Sequence, residues 1–352
     1  MEMCFRWFGK DDPVRLDYIR QIPGVKGIVS AIYDVPAGQV WPLASLLTLK
    51  NTVEAAGLKL SVIESIPVHE DIKLGAPDRD KYIDAFIESL KAVGMAGLGT
   101  VCYNFMPVFD WLRTELAMQR PDGSAVLSYS HKELDSMDPS GGELELPGWD
   151  SSYTKEELQK LMTGFKALGK EGLWRNLEYF LKAVVPEAEA AGVKLAIHPD
   201  DPPWPVFGLP RIITDKAAME RLLKIVDSPY NGLTLCTGSL GVSPDNKLAD
   251  MAESFASLGR INFVHCRNVK ITGYRSFEES AHLSEDGSLD MVGIMASLYG
   301  AGYDGPMRPD HGRMIWGEEG RPGYGLYDRA LGAVYINGIW DALEKSSLKQ
   351  GC

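Results

Sequence analysis

The segment Met307-Arg308-Pro309-Asp310-His311-Gly312-Arg313 gathers a carboxylate, an imidazole and two guanidiniums into seven residues. A turn signal, Gly302-Tyr303-Asp304-Gly305-Pro306, precedes it, and the Gly/Pro content rises again through Gly325. A charged cluster that leaves an apolar strand and runs into a flexible segment is how α/β proteins present reactive groups. Three earlier runs end in a comparable way: Leu195-Ala196-Ile197-His198, Leu233-Thr234-Leu235-Cys236 and Phe263-Val264-His265. Two imidazoles, a thiolate and a carboxylate make a donor set for a divalent metal. Singly, each has a bland explanation: a satisfied strand histidine, a small core cysteine, an aspartate paired with Arg308. Their recurrence at four consecutive strand ends is what points to His198, Cys236, His265 and Asp310 as ligands.

His311 follows Asp310 directly, so its side chain leaves on a different vector and can reach a substrate beside the metal. Imidazole is the natural proton-transfer group at neutral pH. Tyr324, in Arg321-Pro322-Gly323-Tyr324-Gly325, is placed to donate a phenolic proton, and Tyr327 is a weaker alternative. Arg6, Asn104, Arg308 and Arg313 are the candidate substrate-binding groups, since a guanidinium suits a carboxylate and an amide suits hydroxyls. An inward-facing charge such as Arg6 needs a partner. His69 is ambiguous, and His131 and His282 read as solvated loop residues.

These residues need a frame that brings them to one place. Short apolar runs are predicted at 3–8, 25–31, 58–65, 98–105, 193–197, 233–236, 261–265 and 306–309, with helical spacing between them. Eight strand–helix units with no second composition regime predict an α/β fold, a single (β/α)8 barrel. A doubly wound sheet is the alternative, but no Gly-rich dinucleotide fingerprint follows any strand. Such barrels place chemistry at the C-terminal ends of their strands. Period-two alternation then turns His198, Cys236 and His265 inward and Ile197, Leu235 and Val264 outward.

The rhythm breaks at 106–172, a polar insertion after strand four with turn signals at Pro121-Asp122-Gly123, Pro139-Ser140-Gly141-Gly142 and Pro147-Gly148. It is expected to serve as a lid or an oligomer contact. A helix is predicted over 152–168, with Thr154 and Glu157 as a capping pair. A second is predicted over 173–191, kinked at Pro186. The catalytic domain is assigned to 1–346, the last helix to 326–343, and a tail to 347–352.

The 352 residues carry a formal charge of −12, which argues against wholesale binding to nucleic acid or an anionic membrane. No signal-like segment opens the chain and no run of eighteen apolar residues occurs, so a cytoplasmic protein is expected. Five scattered cysteines have no framework spacing and read as reduced. A homo-oligomer, dimer or larger, is anticipated.

Longer strings carry a resemblance: Phe5-Arg6-Trp7-Phe8-Gly9, Val68-His69-Glu70-Asp71-Ile72-Lys73-Leu74-Gly75 and Cys102-Tyr103-Asn104-Phe105-Met106-Pro107-Val108-Phe109-Asp110-Trp111. Ala196-Ile197-His198-Pro199-Asp200-Asp201-Pro202-Pro203 and Arg308-Pro309-Asp310-His311-Gly312-Arg313 belong with them. From residue 3 to about 345 the chain resembles the mannonate dehydratases of hexuronate degradation. The resemblance implies a TIM barrel, a requirement for Mn²⁺ or Fe²⁺, and dehydration of D-mannonate to 2-dehydro-3-deoxy-D-gluconate. It also implies His198, Cys236, His265 and Asp310 as ligands, with His311 and Tyr324 in catalysis.

That chemistry removes the C2 proton, builds an enediolate that a divalent ion stabilises, and expels the C3 hydroxyl as water. The order of base and acid between His311 and Tyr324 stays open. A thiolate suits Zn²⁺ or Fe²⁺ better than Mn²⁺, so Zn²⁺ stays in play. The rival reading is a metal-dependent sugar or sugar-acid isomerase or epimerase, whose sites lean on several carboxylates where one stands out here. A metal hydrolase lacks its His-x-His in the first strand. A non-catalytic sugar-acid-binding protein is opposed by His311 and Tyr324.

Overall fold

The structure is a computed structural model that describes residues 1–137 and 153–350. Twelve strands follow in chain order: β1 (Glu2–Arg6), β2 (Gly27–Ser30), β3 (Lys59–Glu64), β4 (Thr100–Tyr103), β5 (Glu115–Gln119), β6 (Ala125–Ser130), β7 (Lys194–Ile197), β8 (Asn231–Cys236), β9 (Ile261–Cys266), β10 (Val269–Gly273), β11 (Ser276–Glu279) and β12 (Pro306–Pro309). Eight of them close a parallel barrel in the order β1-β12-β9-β8-β7-β4-β3-β2. These are the eight expected strands, and the architecture is a TIM barrel.

Alternation along the barrel strands sorts the side chains. Cys4, Val29, Val62, Cys102, Ala196 and Phe263 form a small apolar plug separate from the large core between barrel and helices. Two residues further along the same strands, and so on the same face, come Arg6, Glu64, Asn104, His198 and His265. Apolar residues thus fill the barrel's middle, and polar ones of equal parity crown it.

The second sheet was not expected. Strands β10-β11-β6-β5 form a four-stranded antiparallel sheet. Half of it comes from the insertion after β4 and half from the chain after β9. Tyr129 of β6 stacks on Phe277 of β11 at 5.4 Å, Trp204 packs beside both, and the Arg113 guanidinium lies 5.0 Å from the Phe277 ring. The sheet is thereby fastened to the β4 and β7 loops of the rim. Its β-branched signal is weak, and its two hairpins join through a β6–β11 pairing more than 140 residues apart in sequence, which is why local patterning missed it.

The expected capping pair is present: Thr154 accepts from the Glu157 N–H, and Glu157 accepts from the Thr154 N–H at 2.8 Å. The helical run extends over Lys155–Ala190, and its break falls at Gly169 (φ +66°) rather than at Pro186, which stays within the helix. Only glycine takes that backbone region without strain. The last helix spans Tyr327–Gln350, past the expected end at 343 and through the start of the assigned tail. The turn signals at Pro139 and Pro147 lie outside the described residues. Cys4, Cys102, Cys236 and Cys266 are free and buried. Among the described residues, no helix is long and apolar enough to cross a membrane.

Candidate active site and metal centre

The rim encloses a cavity of about 220 Å³ lined by Arg6, Asn104, His198, His265, Arg308, Asp310, His311 and Tyr324, with Phe8, Glu64, Asp110, Trp111 and Arg321 among the others. Three of the predicted ligands, His198, Cys236 and His265, come within 4.8 Å of one another. His198 Nε2 is 3.2 Å from His265 Nδ1, and Asp310 Oδ2 is 3.7 Å from Cys236 Sγ and 3.9 Å from His265 Nδ1. Donors roughly 2.0–2.3 Å from a tetrahedral ion stand about 3.3–3.8 Å apart, so these separations fit a cation between them.

Orientation supports the same reading. His198 Nδ1 donates to the Pro199 carbonyl at 2.7 Å, which leaves the Nε2 lone pair aimed into the cluster. Burial alone would push the Cys236 thiol up. The Arg267 guanidinium and the His198 ring hold it well below the usual thiol value instead, which favours the thiolate. The Ser239 N–H and hydroxyl also donate to it, at 3.5 and 3.0 Å. Burial depresses His198, yet the neighbouring Cys236 and Asp310 charges overcome this and raise it to about 9. The cluster therefore favours a positive charge, a condition that a cation would meet in the proton's place. His265 Nε2 is buried without a hydrogen bond, Glu64 Oε2 lying 3.4 Å away.

Guanidiniums hold the carboxylates. Arg308 binds Glu64 through both arms, at 3.1 and 2.9 Å, and its Nη1 reaches Asp310 Oδ1 at 2.7 Å. Arg267 Nε contacts Asp310 Oδ2 at 3.0 Å. Burial would raise Asp310, but His311, Arg308, His265 and Arg267 keep it well below the usual carboxylate range. Arg6 finds its partner in Glu64, donating to its backbone carbonyl and lying 3.5 Å from its carboxylate. Asn104 Oδ1 accepts from the Met106 N–H, which leaves the amide nitrogen to the cavity. Arg313 is not among the lining residues: Asp328 and Asp122 hold its guanidinium, at 2.9 and 3.0 Å.

His311 and Tyr324 meet. His311 Nε2 is 3.0 Å from the Tyr324 hydroxyl, and His311 Nδ1 is 3.0 Å from Glu279 Oε1. A carboxylate only accepts and would take a proton from Nδ1, but Arg267 Nη1, which only donates, also lies 3.0 Å from Nδ1, so the contacts there admit either tautomer. Burial and the Asp310 charge push the Tyr324 phenol up to about 12, so it carries its proton at neutral pH. Burial opposes ionisation of Glu279, but Arg267, His311 and Arg113 bring it down to about 2. The Trp111 ring lies 5.4 Å from that of His311.

Glu279, Glu64 and the Arg113–Asp201–Arg267 ion pairs were absent from the sequence reading. Glu64 was within reach: it ends a strand with the same parity as Val62. Glu279 was not, because it belongs to the unanticipated sheet. His282 reverses its expectation. It is buried rather than solvated, with Nε2 bonding the Cys266 carbonyl at 3.0 Å and the ring lying against Gly332 of the last helix.

A barrel rim that joins a thiolate–imidazole–carboxylate cluster to a buried carboxylate–imidazole–phenol chain defines an enzyme that moves protons on a small polar substrate. Known proteins narrow this class. The D-mannonate dehydratase (UxuA) family model matches residues 1–350. Mannonate dehydratase 2 of Halalkalibacterium halodurans is 57% identical over 343 residues, 97% of this chain and 99% of its own. Mannonate dehydratase of Streptococcus uberis is 57% identical over 347 residues, 99% of this chain and 100% of its own. The crystal structure of mannonate dehydratase from Streptococcus suis serotype 2 matches with a TM-score of 0.92 and 50% identity, over 99% of this chain and 96% of that one. The chain belongs to the D-mannonate dehydratase family, which are hydro-lyases acting on a sugar acid. An L-ribulose 3-epimerase structure shares the fold alone, at a TM-score of 0.57 and 14% identity.

Proposed function

We propose that this site dehydrates D-mannonate to 2-dehydro-3-deoxy-D-gluconate and water, with His311 as base and Tyr324 as acid. The observation that carries the reading is the Glu279–His311–Tyr324 chain, 3.0 Å at each link, beside the ligand cluster. His198, Cys236, His265 and Asp310 hold a divalent cation. Bound there, the cation supplies Lewis-acid stabilisation of the negative charge that develops as the C2 proton departs. The thiolate argues for Fe²⁺ or Zn²⁺ on softness, while the family resemblance favours Mn²⁺ or Fe²⁺.

With its Nδ1 proton directed at Glu279, the His311 ring exchanges its Tyr324 contact for the substrate and takes the C2 proton on Nε2. The electron pair of that C–H bond moves into the C2 centre beside the carboxylate. The phenol of Tyr324, protonated at neutral pH, gives its proton to the C3 hydroxyl as the C3–O bond breaks, releasing water. The imidazolium, 3.0 Å from the phenolate, returns its proton to Tyr324. The enol left on C2 and C3 tautomerises to the 2-keto acid. Both side chains are thus restored, and the substrate has lost one proton from C2 and the hydroxyl from C3, the elements of water.

The roles separate in D₂O. Tyr324→Phe should lose dehydration about 10²- to 10⁴-fold while still exchanging the C2 hydrogen of D-mannonate with solvent, followed by NMR. His311→Asn should lose both. The reverse pattern, exchange surviving in His311→Asn and lost in Tyr324→Phe, would make tyrosine the base.

A further inference from the structure

A sugar acid presents a carboxylate, and most guanidiniums around this cavity are already committed. Arg308 neutralises Glu64 and Asp310, Arg267 neutralises Asp201, Glu279 and Asp310, and Arg6 leans on Glu64. Arg321 differs. It lines the cavity, and among the described residues its guanidinium has no acidic partner and no side-chain hydrogen bond. Its Cζ sits 4.2 Å over the Phe8 ring, whose centroid is 4.8 Å from the Arg6 Cζ. Two guanidiniums therefore share one aromatic ring at the cavity mouth, and one of them is uncompensated.

The backbone ties this cation to the reacting groups. The Tyr324 N–H donates to the Arg321 carbonyl at 2.9 Å, with Pro322 and Gly323 (φ +77°) between them. Proline second and a positive-φ glycine third make a type II turn. A Cβ at Gly323 would also lie 2.5 Å from Leu127 Cδ1, so packing and conformation both fix the turn. Arg321 and Tyr324 are its first and last residues. A carboxylate held by one is placed at a set reach from the other.

The same cavity carries a charge of opposite sign. Asp110, on the loop after β4, lines it, and among the described residues this carboxylate has no ion pair. We infer that Arg321 binds the carboxylate of the sugar-acid substrate, and that the hydroxyl end lies towards Asn104 and Asp110. The inference rests on the dehydratase reading and gives the substrate its direction in the site.

Arg321 is exposed, so its replacement spares the fold. The test compares the wild type with Arg321→Met and Arg321→Lys, using D-mannonate and the uncharged D-mannonamide as probes. Calorimetric binding to the metal-loaded protein and KM are both measured. The wild type should bind the acid more tightly than the amide. Arg321→Met should weaken the acid about 10- to 100-fold, as expected for a hydrogen-bonded charge pair, and leave the amide within twofold. Arg321→Lys should recover part of the loss. Acid binding unchanged in Arg321→Met, or acid and amide weakened alike, would overturn the assignment, the latter by exposing a role in loop shape only. Wild-type protein that binds D-mannonate without dehydrating it would count against the functional reading instead, while the binding ratio would still decide Arg321.

Discussion

Every charge at the centre of this site is held by another. Asp310 accepts from Arg308 and Arg267, Glu279 from Arg267 and Arg113, and Glu64 from Arg308. Such pairing lets buried carboxylates stay ionised and keeps their positions fixed. Glu279→Gln keeps the shape but cannot accept the His311 N–H with a full charge. Turnover is expected to fall about 10- to 100-fold with metal content unchanged by elemental analysis; unchanged turnover would free His311 from Glu279. Cys236→Ser replaces a thiolate by a poorly ionised hydroxyl, and metal occupancy after dialysis should fall below that of the wild type. Full occupancy would place the sulfur outside the coordination set. At this scale the sequence was informative wherever strand parity applies. His198, Cys236 and His265 end three barrel strands on one face and converge as that rule requires. Arg313 shows the limit, since a guanidinium's partner cannot be read from its own position: Asp328 lies 15 residues on and Asp122 191 residues back.

At the scale of elements, the barrel supplies His198, Cys236, His265 and Asp310, and the small sheet supplies Glu279, the carboxylate that meets His311. Glu279 ends β11, and β11 pairs with β6 of the insertion. Phe277, buried between Tyr129 and Trp204, locks that pairing. Phe277→Ala should cost about 3–5 kcal/mol of stability, measured by denaturant unfolding, as a large buried aromatic normally does. A cost under 1 kcal/mol would mean that the sheet is not part of the cooperative fold. Removing residues 121–148 deletes β6, and should abolish turnover by unseating Glu279 while metal occupancy is kept. The barrel was legible because its strands are short apolar runs with regular helices between them. The second sheet was not, because its strands are polar on one face and pair with segments that composition had assigned to a loop. The helix break illustrates the same point: Pro186 is the stronger local signal, yet Gly169 takes the positive φ.

For the whole molecule, a net charge of −12 surrounds an active site that must admit an anion. The uncompensated Arg321 at the mouth is a local counterweight to that field, and the proposed divalent ion would be a second. A cation bound by the folded cluster alone also stabilises the whole chain. The most direct measurement strips the protein with EDTA, restores Mn²⁺, Fe²⁺ or Zn²⁺ separately, supplies D-mannonate and follows formation of the 2-keto-3-deoxy acid. The stripped protein should give no product, and product should return once a suitable ion is restored. Full turnover in the stripped protein, or no product from folded protein loaded with any of the three ions, would contradict metal-dependent dehydration.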